Sequence, residues 1–109
     1  MWIFLNDSML SVVSHRSKPE HLLVRGRIEG DIDSVFPRAK VMYTPTSDYG
    51  YRAVVSRAEV AQVMKEKVLN IDYDNFKSSV VETGRHDAYF AVWNCMYQEQ
   101  QRRWENVYD

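Results

Sequence analysis

Residues 22–28, LLVRGRI, constrain the fold more than any other part of the chain. Leu22, Val24 and Ile28 alternate with Leu23, Arg25 and Arg27. That period of two sets one strand face on a core and the other toward water. Gly26 inside the run predicts a bulge or a close backbone approach. A half-buried strand needs neighbours to pair with, and the first half of the sequence supplies them. Residues 2–5 and 9–14 flank the turn cluster Asn6-Asp7-Ser8 and read as a hairpin. The polar stretch 15–20, with Pro19, connects that hairpin to the alternating strand. Residues 39–43 and 51–55 give two more strand signals around the turn Thr44-Pro45-Thr46-Ser47-Asp48. In the second of these, Tyr51, Ala53 and Val55 share one face, and Arg52 and Val54 the other. Between strands, Gly30-Asp31 opens a short helix ending at Phe36-Pro37, with Asp31 or Asp33 as the cap that accepts from free backbone N–H groups.

After residue 55 the period changes to that of a helix. Ser56-Arg57-Ala58-Glu59 fits a capping box, and Val60, Val63, Met64, Val68 and Ile71 follow at helical spacing. Residues 72–75, Asp-Tyr-Asp-Asn, break this helix and cap a shorter one through Phe76 and Val80, which Gly84 closes. The last helix carries Tyr89, Val92, Trp93, Met96 and Tyr97 as an apolar stripe. Trp93 and Tyr89 are assigned to the core, and Cys95 beside them to helix packing. Arg102 and Arg103 near its end complement the helix dipole. The expected fold is therefore α+β: two layers, a mainly antiparallel sheet of about five strands, and the C-terminal helices packed on one face. It forms a single domain over 1–109, strand-rich over 1–55 and helical over 56–105.

Composition agrees with one globular domain: 109 residues, 45% hydrophobic and 27% charged. Fifteen acids against fourteen bases leave a net charge of −1, which supplies no overall field for drawing in nucleic acid. One cysteine, Cys95, excludes an internal disulfide and a cysteine-based zinc site. The apolar opening stops at Asn6-Asp7 without the continuation of a signal peptide, and no run approaches a membrane span, so a cytoplasmic location is expected.

Several phrases carry a resemblance. MWIF at the start, PEHLLVRGR over 19–27, TP followed by DYGYRAVVSR over 48–57, and IDYDNFKSSV over 71–80 resemble a family of small bacterial and phage proteins of unknown function. The resemblance runs in order along most of the chain. It implies a compact single domain and a bacterial or phage source, with the host cytoplasm as the setting if phage-encoded, and it implies no activity, substrate or cofactor.

Catalytic signatures are sparse. Glycines at 26, 30, 50 and 84 form neither a P-loop nor a dinucleotide fingerprint, and there is no nucleophile elbow. The pairs Asp31/Asp33 and Asp72/Asp74 sit at predicted helix starts, where capping accounts for them. His15, His21 and His86 make no metal-binding pattern, and His86 and Asp87, adjacent on a helix, point about 100° apart and form no local dyad. No metal and no cofactor is expected. The candidate binding surface is Arg25, Arg27, Tyr49, Tyr51 and Arg52, because guanidinium forks suit phosphate or carboxylate and tyrosine offers a stacking surface. Trp2 and Trp104, near the two ends, either pack together as docked termini or anchor an interface. The expectation is a non-enzymatic accessory protein with a protein partner, a homodimer among the options, and no membrane association. Nucleotide or RNA binding through the Arg/Tyr face is the alternative, with nucleic acid not favoured. A hydrolase built on His15 or His86 with an Asp is the weaker one.

Overall fold

The alternation at 22–28 does form a strand, at the centre of a five-stranded antiparallel sheet. The structure, a computed structural model, describes residues 1–108, with side chains as far as Asn106. Its strands are β1 (Trp2–Phe4), β2 (Met9–Ser14), β3 (His21–Gly26), β4 (Met42–Tyr43) and β5 (Tyr51–Ser56). They lie in the order β1-β2-β3-β5-β4, so only β5 leaves sequence order, inserted between β3 and β4. The helices are α1 (Asp31–Val35), α2 (Arg57–Leu69), α3 (Phe76–Ser79) and α4 (Thr83–Tyr108). The class is α+β. The strand-rich and helical parts follow in the expected order; residues 1–72 form one compact unit, and the described residues from Tyr73 onward another.

In the first unit the register fixes two faces. Ile3, Leu10, Gly26, Tyr51 and Tyr43 lie opposite one another in one row across all five strands. Trp2, Ser11, Arg25, Arg52 and Met42 form the adjacent row, on the other face because successive strand residues point to opposite sides. Leu10, Val12, Val24, Ala53 and Val55 of the first face join Ile32, Val35, Phe36 and Val60 in one core cluster. Each large apolar side chain buried this way contributes about 1.5–3 kcal/mol. Gly26 is the close approach its position predicts. A Cβ there would stand 3.2 Å from Cγ1 of Ile32, so the missing side chain lets α1 settle on β3.

Helix starts depart from the sequence reading in detail. The N-cap of α1 is Gly30 in the left-handed region (φ 92°), not Asp31 or Asp33. Asp31 is buried and accepts from the N–H of Met9 at 2.9 Å, tying α1 to the start of β2. Ser56 caps α2 as expected, its hydroxyl accepting from the N–H of Glu59 at 3.1 Å. The Glu59 carboxylate reaches Arg38 at 3.5 Å. Asn75 caps α3 through the N–H of Ser78, also at 3.1 Å. Gly84 does not close α3, which ends at Ser79; it lies in the first turn of α4, where Oε1 of Glu82 accepts from the N–H of Arg85.

The second unit is α3 against the start of α4. Tyr73 and Phe76 meet at 5.6 Å between ring centres, and Phe76 stacks on Tyr89 at 5.8 Å. Tyr89 and Arg85 are buried, with Nη1 of Arg85 on the Tyr89 hydroxyl at 3.3 Å. Tyr89 thus takes the core position predicted for it. Trp93 does not: it is half exposed, and so are Val92, Met96 and Tyr97. Cys95 is exposed as well, so it is not a packing residue. The stripe is real, but its burial ends at Tyr89.

Candidate interaction surfaces

The Arg/Tyr surface expected from sequence is brought together in part. Arg25 and Arg52 face each other across β3 and β5, an arrangement of like charges that destabilises a sheet unless each finds other partners. Nη2 of Arg25 donates to the Ser11 hydroxyl at 2.6 Å, and Nη2 of Arg52 donates to Asp48 at 2.9 Å. The loop between β4 and β5 then supplies Tyr49. That loop is held by Thr44, whose N–H donates to the Gly50 carbonyl and whose hydroxyl donates to the Tyr49 carbonyl, both at 2.7 Å. The Tyr49 ring is clamped between two guanidinium groups, Arg25 at 4.5 Å and Arg27 at 4.1 Å from its centre, and is only 4% exposed. Such a desolvated cation–π contact is worth up to about 2 kcal/mol. Arg27 is fixed further by the Asp48 carbonyl at 3.0 Å. The Ser11 hydrogen bond lowers the Tyr49 phenol from its ordinary value of 10.0, with the Arg27 and Arg25 charges acting in the same direction and burial opposing them.

This arrangement consumes the chemistry that suggested it. Tyr49 has a cation over the ring from both arginines and is buried, so it offers no stacking surface to a base. Tyr51 belongs to the opposite face, where it packs against the core cluster and lies 5.4 Å from Tyr43. Two groups remain unspent: Nε of Arg25 and Nε of Arg52 are buried without a hydrogen-bond acceptor. Sequence gave no sign of Ser11, which links Arg25 to Tyr49; a serine in a strand carries no pattern of its own.

The histidines are placed as follows. Nδ1 of His15 accepts from the N–H groups of Ser17 and Lys18, both at 3.1 Å, and so organises the turn before β3. His86 and Asp87 do meet, at 3.4 Å, because side-chain torsions close the angle that separates neighbours on a helix; both are exposed, and the contact is long. Among the described residues no cluster of His, Cys, Asp and Glu has the makings of a metal site. An apolar groove of about 470 Å³ runs between the end of β2 and α2. Its only polar side chains are Ser14 and Arg57, and Nε of Arg57 is bound to the Pro19 carbonyl at 2.7 Å. No acid–base pair lines it.

The surface that sequence assigned to the interior is α4. From Phe90 to Asn106 none of its residues is buried. Phe90, Trp93, Met96, Tyr97 and Trp104 are 47, 44, 64, 42 and 55% exposed. With Val92 they fall within an arc of about 160° around the helix, by its 3.6-residue turn. The rings stack on one another, Phe90 on Trp93 at 5.7 Å and Trp93 on Tyr97 at 5.3 Å, while the Lys77 ammonium sits 4.7 Å over Trp93. At the edge of this arc, Glu99 binds both Arg102, outside it, and Arg103, within it. Those hydrogen bonds, from Arg102 first, hold its carboxyl at about 2, below the ordinary 4.5. Trp2, in the first unit, is exposed too.

No protein-family model, curated protein or solved structure matches the chain. Among the described residues no helix is long and apolar enough to cross a membrane.

Proposed function

We propose that this chain is a small non-enzymatic accessory protein that works by protein–protein contact, with the aromatic face of α4 as its docking element. The observation that carries this is the exposed ladder Phe90-Trp93-Tyr97 on a helix with no buried residue from Phe90 to Asn106. Large aromatics are the side chains that anchor interfaces, and contiguous exposure of several marks a binding surface. Most helical stability in proteins comes from packing of an apolar face rather than from intrinsic propensity, so a partner that covers the apolar side of α4 also stabilises it. The nucleotide or RNA reading has less behind it, because Tyr49 is sandwiched, Tyr51 faces the other way and Arg52 is paired with Asp48.

A photo-crosslinking residue tests this reading. At Met96, on the aromatic side of α4, it should form an adduct with a polypeptide in cells; at Arg38, which is almost fully exposed in the first unit, it should not. Absence of a polypeptide adduct from Met96, or equal adducts from both positions, contradicts the assignment.

A further inference from the structure

We infer that the occupant of the α4 face is the α4 helix of a second copy of this chain, a step that rests on the protein-binding reading above. Three features favour a copy over a different protein. The first is spacing. Phe90, Trp93, Tyr97, Gln100 and Trp104 recur at intervals of three and four, a heptad seam with aromatics at four of five positions and one polar residue, the kind that fixes register where two such helices meet. A seam of this type is complementary to itself.

The second is charge. Between Phe90 and Asn106 the charged side chains are Glu99 and Glu105 against Arg102 and Arg103. They balance, and Glu99 already holds both arginines within the helix. Apart from the single Lys77 ammonium over Trp93, such a face carries no net charge to repel its own copy, and it calls for no strongly acidic or basic segment. The third is area. Five large side chains about half exposed, each presenting about 150–250 Å² in full, leave about 500 Å² of apolar surface per copy. Two copies face to face then bury about 1,000 Å², the lower bound for a specific interface, and the paired helices run together for about 25 Å.

Sedimentation of the intact chain over micromolar to hundreds of micromolar concentrations tests the inference. The wild type should reach twice the 12.9 kDa chain mass, and Trp93→Glu and Tyr97→Glu should each sediment as monomers. Both side chains are exposed, so the sheet unit should keep its melting transition in these variants, which separates lost pairing from lost folding. A wild type that stays monomeric throughout overturns the second-copy inference; if Met96 still crosslinks to another polypeptide, the protein-binding reading survives it. A dimer that both substitutions leave intact overturns the inference and takes the α4 face with it.

Discussion

At the scale of single residues, a few side chains set how the elements meet. Gly30 is the only described residue with positive φ, at 92°, and nothing lies within 4 Å of a Cβ placed there. Substitution therefore meets backbone strain and no clash. Gly30→Ala should cost about 1–2 kcal/mol in chemical denaturation, the price of the left-handed conformation for an L-residue. Equal stability would mean that the loop before α1 relaxes out of that conformation. Tyr49 shows how a residue chosen for one chemistry serves another. Of its surroundings only the arginine pair was legible, because strand alternation places Arg25 and Arg27 on one face. That the β4–β5 loop folds its ring between them was not, since a loop carries no period.

At the scale of elements, the strands were the most legible part because a half-buried strand alternates and alternation is local. The five predicted segments correspond to β1 through β5, with β4 shortened to Met42–Tyr43 and β3 ending at Gly26. Ile28 falls past that end and is exposed, although it is in phase with Leu22 and Val24. Helix α4 teaches the opposite lesson. Its stripe predicts which side is apolar, yet a stripe is the same whether the chain's own core or a partner covers it, so it points to an interior Trp93 where the structure has a half-exposed one. The ion pairs at the edge of its aromatic arc give a pH test. Glu99 has a folded-state value near 2 against an ordinary 4.5, so its contribution is complete above about pH 4.5 and is lost as pH falls through 2. Acidification over that window should reduce the helicity of α4, and Glu99→Gln should remove that part of the change. A titration that Glu99→Gln leaves unaltered would assign the loss to other carboxylates.

At the scale of the whole molecule, apolar burial is unevenly shared. The first unit buries a continuous core between its sheet, α1 and α2, whereas α4 carries its largest apolar side chains into solvent over more than four turns. A helix in that position persists when something covers its apolar side. Backbone hydrogen exchange along residues 90–106 reads this directly, since amides in an uncovered helix open easily and those in a covered one do not. The account predicts protection that rises with protein concentration and is lost in Trp93→Glu. Protection that is independent of concentration and unchanged in that variant would show that α4 stands without its aromatic face being covered, and would contradict the claim.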